Sequence, residues 1–196
     1  MTGRLALLAA MLLVSAPALA ADAAYTDLDL DACEVESVFE EGGGAALRCE
    51  GLDGVPVFVS EGDLRFDVDF GARDENFDSF APFNSLGERI EWRVEDGQAF
   101  AAILRFSIET PDADPQARKG SVLGIFKVGT DEAPGCPIAY VDALVNPEAN
   151  LMARQVADGF ASAFRCGQDR ATYIGATGPL SGQASAISRP PVEDPS

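Results

Sequence analysis

Residues 90–108 read Ile90-Glu-Trp-Arg-Val-Glu-Asp-Gly-Gln-Ala-Phe-Ala-Ala-Ile-Leu-Arg-Phe-Ser-Ile108, and they decide the fold. Ile90, Trp92 and Val94 alternate with Glu91 and Arg93, the period of a strand with two different faces. Glu95-Asp96-Gly97 supplies a tight turn, and Phe100 to Ile108 returns as a longer apolar run. Parity sets Glu91 beside Arg89 and Arg93 on an outer face and turns Trp92 toward a core. Tryptophan is also a frequent binding anchor, so Trp92 stands as a candidate contact residue as well.

The flanking sequence repeats this pattern. Val55 to Val59 and Leu64 to Phe70 read as two strands around the turn Ser60-Glu61-Gly62-Asp63, with Arg65, Asp67 and Asp69 alternating against Leu64, Phe66, Val68 and Phe70. Tyr25 to Asp31 alternates in the same way, Val35, Ser37 and Phe39 continue the rhythm, and Ala45 to Cys49 returns after Gly42, Gly43 and Gly44. Val122 to Val128 and Ile138 to Val141 are the last strong strands, and Thr110 to Gly120 reads as an exposed loop. Helical spacing occurs once, in Ala149, Met152, Ala153, Val156, Phe160, Ala163 and Phe164, with Asn146 as N-cap and Pro147 in the first turn. With no helix between the early strands, the fold class is α+β: a mainly antiparallel β-sheet of about seven or eight strands with one C-terminal α-helix.

The ends differ from this domain. Residues 1–20 combine Arg4, an apolar run from Leu5 to Val14, and small residues at Ala18 and Ala20, the pattern of a cleavable secretory signal peptide. The run is about half the length needed to span a bilayer, so no stable membrane insertion is expected once the signal is removed. Residues 21–175 form a single β-rich globular domain in this reading, and the Gly-, Ser- and Pro-rich stretch 176–196 reads as a disordered tail. Export places the chain in the periplasm or outside the cell, where four cysteines argue for two disulfides. The local pairs Cys33 with Cys49, across the glycine tip, and Cys136 with Cys166, around the helix, are expected.

Composition removes whole classes of function. The 196 residues hold 32 acidic and 14 basic side chains, no histidine and a net charge of −18. Nucleic-acid binding needs a basic face, so no nucleic-acid partner is expected. Missing histidine excludes Ser-His-Asp and Cys-His nucleophile systems and imidazole metal sites, and no motif calls for a cofactor or a metal. The charge is uneven: residues 21–100 carry 21 acids against 5 bases, a local charge of −16. An acidic half of this kind suits a cationic partner.

Three groups of residues could carry function. The aperiodic stretch 71–89 is long for a compact domain and holds Phe77, Phe80 and Phe83, candidate binding residues together with Trp92. Asp27, Asp29 and Asp31 begin like a calcium loop, but Ala32 and Val38 stand where the glycine and the bidentate glutamate belong. Glu61 with Asp63, or Glu88 with Glu91, could act as a general acid and base without histidine.

Cys33…Cys49-Glu-Gly, Pro56-Val-Phe-Val-Ser-Glu-Gly-Asp-Leu-Arg65, Phe83-Asn-Ser-Leu-Gly…Ile-Glu-Trp-Arg93, Ile103-Leu-Arg105 and Cys136…Tyr-Val-Asp-Ala-Leu-Val-Asn-Pro-Glu-Ala-Asn150 together resemble a group of small exported bacterial proteins of unknown function. The resemblance covers most of residues 25–170 and implies an address but no activity. The expectation is a non-catalytic periplasmic binding module with an acidic face, for a cationic partner such as a basic cell-wall hydrolase. The alternative is an envelope hydrolase that uses a carboxylate pair.

Overall fold

The computed structural model describes residues 21–39, 43–109 and 119–189. The signal peptide expected at 1–20, most of the loop expected after Thr110, and residues 190–196 of the expected tail lie outside the described residues. Among the described residues ten strands form two sheets. β1 (Asp22–Asp27), β6 (Asn84–Glu95), β7 (Gln98–Ile108), β8 (Gly120–Lys127), β9 (Cys136–Asp142) and β10 (Thr172–Tyr173) lie side by side in that order. All their pairings are antiparallel except β9 with β10. β2 (Glu34–Val38), β3 (Gly44–Glu50), β4 (Pro56–Gly62) and β5 (Arg65–Phe70) form a separate antiparallel meander. Helix α1 (Ala149–Phe160) and the one-turn α2 (Ser185–Ser188) complete the fold.

The six-stranded sheet is the middle layer. One face meets the four-stranded sheet through Val57, Val59, Val68 and Phe70 packed on Ile90, Trp92, Leu104, Phe106 and Phe126. Phe70 stands edge-on to Trp92 with ring centroids 5.4 Å apart, which gives this interface a directional aromatic contact as well as apolar burial. The other face, built from Ala101, Ile103, Leu123, Ile125 and Val141, is covered by Ala149, Ala153, Val156 and Ala157 of α1. Both faces of β7 to β9 are therefore largely buried, which explains why the runs from Phe100 and Val122 are nearly continuous in apolar residues. Each fully buried large side chain contributes about 1.5–3 kcal/mol of transfer free energy.

The expected disulfides form. Cys33–Cys49 ties the approach to β2 to β3, and Cys136–Cys166 ties β9 to the segment beyond α1. Loop closure of this length stabilises a fold by about 3 kcal/mol in the chain-entropy picture.

Several boundaries move, each for a local reason. β1 stops at Asp27 because the Asp29 carboxylate accepts the Asp31 N–H and starts a 3-10 turn over Leu30–Ala32. The β4–β5 turn is Asp63-Leu64, both at positive φ, so β4 runs on to Gly62 and Leu64 sits exposed at the tip. α1 begins at Ala149, because the Asn146 side chain instead bridges Asp142 O and Ala176, donating 2.8 Å and 2.7 Å hydrogen bonds to their carbonyls. Phe160 and Ala163 face solvent, and Ala157 and Ala161 take the expected core positions. The face of Glu91 and Arg93 is not an outer one: α1 covers it, with Arg93 bound to Asp158 and Glu91 bound to Arg154.

The tail also differs from its composition. Residues 176–189 pack on the domain, with Ala184 fully buried, Ala186 nearly so, and Ala184 bridged antiparallel to Phe80. Small side chains make this contact possible: a Cβ on Gly120 would meet the Leu180 carbonyl oxygen at 1.9 Å.

Candidate functional site

The acidic stretch Asp27–Asp31 forms a ridge between two clefts. On one side a cleft of about 640 Å³ is lined by Asp27, Asp29, Asp31 and Glu88 around Leu28, Leu30 and Leu86. On the other, a cleft of about 540 Å³ includes Asp27, Asp29, Glu34 and Glu50, with Arg48 its one basic residue, beside the Cys33–Cys49 disulfide. The 3-10 turn creates the ridge. By leaving sheet geometry at Leu28, the chain brings Asp27, Asp29 and Asp31 to one corner instead of along a strand face. Leu28 donates its N–H to Glu88 O at 2.8 Å, which pins the ridge to β6. Carboxylates rimming an apolar floor match the long alkyl stem and charged head of lysine or arginine. Among the described residues no group of three acidic or cysteine side chains is placed to hold a metal ion.

The four candidate aromatics separate. Trp92 is fully buried and donates its indole N–H to Thr26 Oγ1 at 2.8 Å, so it serves the core and offers no contact surface. Phe80 is also core, packed on Phe106 and Tyr140 at 5.1 and 5.4 Å. Phe77 and Phe83 reach the surface, 45% and 41% exposed, and the Arg65 guanidinium lies 4.8 Å over the Phe83 ring. A groove of about 320 Å³ opens between Phe77, Phe80 and Ala81 on one wall and Gln183, Ser185 and Ser188 on the other.

The carboxylate pairs read from sequence do not form acid–base sites. Glu61 accepts the Leu64 N–H in the β4–β5 turn and Asp63 pairs with Arg65. Glu88 is exposed at its cleft, while Glu91 is held under α1 by Arg154 at 2.5 Å and by Arg93 at 3.7 Å.

The acids with shifted protonation lie elsewhere. Asp67 and Asp69 point from β5 toward the side that alternation assigns to solvent, yet they are 5% and 8% exposed. Residues 71–83 fold back over that edge: Ser79 Oγ donates to Phe66 O at 2.8 Å, and Asn84 Oδ1 accepts the Phe66 N–H at 3.1 Å. Burial raises the Asp67 carboxyl to about 7, aided by the charges of Asp78 and Asp74 and opposed by a backbone hydrogen bond from Asp78. Burial and the neighbouring Asp67 raise Asp69 to about 8. Asp78 is raised by burial against the pull of Arg189, whose guanidinium binds it directly. Sequence alternation marked these acids as solvated; only the path of the loop reveals otherwise.

Comparison with known proteins returns no matching family model, no matching curated protein and no matching solved structure.

Proposed function

We propose that this chain is an exported, non-catalytic binding module that takes a cationic protein partner on the clefts flanking Asp27–Asp31. One observation carries the reading: the larger cleft is lined by four carboxylates, three leucines and one glycine, with no basic residue among Asp27, Leu28, Asp29, Leu30, Asp31, Leu86, Gly87 and Glu88. Such a cleft attracts a cation at long range and desolvates its alkyl stem on contact. The signal-type pattern at 1–20 and the two disulfides support an oxidising, exported setting. No described helix is long and apolar enough to cross a membrane.

A basic cell-wall hydrolase of the lysozyme type is the concrete partner class. Its binding should weaken steeply with salt and be abolished by reversing Asp29, Asp31 and Glu88 to lysine. A binding constant unchanged by those substitutions removes the reading. The hydrolase alternative has less support, because the acids with raised protonation, Asp67, Asp69 and Asp78, are all buried, the first two beneath residues 71–83.

A further inference from the structure

We propose that the outer edge of β2 is a strand-addition site for an extended, lysine- or arginine-bearing segment of the cationic partner. The inference rests on the binding reading above and names how the partner is held.

β2 pairs only with β3 among the described residues, and all five of its residues are exposed. Its inner face is apolar. The register aligns Val35 with Leu47, Val59 and Val68, and Val38 with Ala45, so a row that is buried under the other sheet at Val59 and Val68 emerges at Val35. A bulge between Val35 and Ser37 keeps both valines on that face, 58% and 69% exposed. Edge strands are commonly blunted by bulges; this one instead aligns two apolar side chains beside an open edge.

The backbone of the edge is open at the same two residues. The Cα atoms of Cys33 and Cys49 are 4.5 Å apart, the spacing of a non-hydrogen-bonded antiparallel pair. Alternation from there turns the N–H and C=O of Val35 away from β3. At the other end Phe39 donates to Gly44 O at 2.9 Å, which by the same alternation turns Val38 outward. An added strand would thus bond to Val35 and Val38 and continue their apolar row.

Charge selects the occupant. Glu34, the first residue of β2, also lines the cleft with Asp27, Asp29 and Glu50, where Arg48 is the one base. A segment entering that cleft and running along β2 meets carboxylates first and valines next. A second copy of this chain would bring two such acidic clefts together and set Glu34 carboxylates along one short pairing, which like-charge repulsion disfavours. Glu36 does not change this, since Arg73 binds it at 2.8 Å.

The test uses the full chain and a blocked peptide of alternating lysine and valine, with a second peptide N-methylated at alternate valines. The first peptide should bind in low salt and slow amide exchange at Val35 and Val38, and N-methylation should weaken it about tenfold or more. Val35→Pro, which removes an outward N–H together with one valine of the apolar row, should weaken the unmodified peptide at least to the same degree. If Val35→Pro fails to fold, the N-methylated peptide decides alone. Equal binding of both peptides with β2 exchange unchanged overturns strand addition while leaving the acidic clefts as the partner site. A dimer of the free chain that Val35→Pro dissolves overturns it too, assigning the edge to a second copy. Loss of all binding, to peptide and basic hydrolase alike, overturns the binding reading itself.

Discussion

The Arg189 guanidinium binds the Asp78 carboxylate, joining the end of the described chain to the loop after β5 across 111 residues of sequence. Asp78 also accepts from Ser185 Oγ at 3.1 Å, and Arg189 reaches Asp74 at 3.9 Å. Residues 176–189 thereby act as a strap that holds the 71–83 loop over Asp67 and Asp69. The Asp78 side chain is only 4% exposed, so removing its cation leaves a buried, uncompensated group. Arg189→Ala should destabilise the fold by about 1–3 kcal/mol and speed amide exchange at Ala81 and Ser185, whose N–H groups bond across the strap. Exchange unchanged at both amides would show that the apolar seat of Ala184 and Ala186 suffices.

The same cluster fixes a pH dependence of unusual sign. Asp67 and Asp69 titrate near 7 and near 8 in the fold, against 3.8 as the ordinary value. Their folded values are raised, so the native state binds more protons than the unfolded chain between those limits. The stability they confer is complete below the unfolded value and is lost as pH rises through 7 and 8, where two carboxylates ionise beside Asp74 and Asp78 with only Arg73 and Arg189 to offset them. Urea unfolding should show a loss on the order of 5 kcal/mol between pH 5.5 and pH 8.5. The double variant Asp67→Asn, Asp69→Asn should flatten this dependence; a wild-type profile already flat over that range would contradict the burial of the pair.

Trp92 gives a third check, on the core. Its ring packs on Phe70, its indole N–H binds Thr26, and a Cβ added at Gly51 would meet Trp92 Cζ2 at 2.7 Å and Val55 O at 2.4 Å. Gly51→Ala should therefore destabilise the fold by about 1–3 kcal/mol, since the close neighbour includes backbone that cannot swing aside. Tryptophan emission should be that of a buried indole in the wild type and move to the red in the variant. An unchanged melting temperature would place Gly51 farther from the ring.

Phe77 and Phe83 supply a fourth. Both are surface residues, so Phe77→Ala and Phe83→Ala should each change stability by no more than about 0.5–1 kcal/mol. Phe80→Ala, which empties a core site against Phe106 and Tyr140, should cost about 3–5 kcal/mol. Thermal unfolding of the three variants separates the roles, and equal losses would contradict the division.

Much of this fold is legible in sequence because period-two alternation and turn residues act locally. The hairpin from Ile90 to Ile108 forms around Asp96-Gly97, both at positive φ, as its residues dictate. The two disulfides join the cysteine pairs that lie nearest in sequence, as local pairing of four cysteines expects. Less legible is anything set by a distant segment. Asp67 and Asp69 alternate like solvated residues, and no local signal announces that residues 71–83 return over them. The stretch 176–189 has the composition of a loose tail, yet its alanines and glycines are the residues small enough to seat against Phe80 and Gly120. Of the site, the acids Asp27, Asp29 and Asp31 stand out in sequence, but the cleft depends on Asp29 ending β1, a side-chain choice that alternation does not reveal.

Binding of a cationic protein at the acid-rimmed cleft beside Asp27–Asp31 is the proposal on which the rest depends. It is tested most directly by titrating a basic lysozyme into the chain beginning at Ala21 at about 20 mM and about 300 mM salt, with wild type and the triple variant Asp29→Lys, Asp31→Lys, Glu88→Lys compared at each. Wild type should bind, at least about tenfold more weakly at the higher salt, and the triple variant should bind at neither. Equal binding by both chains, or none by the wild type at low salt, would contradict it.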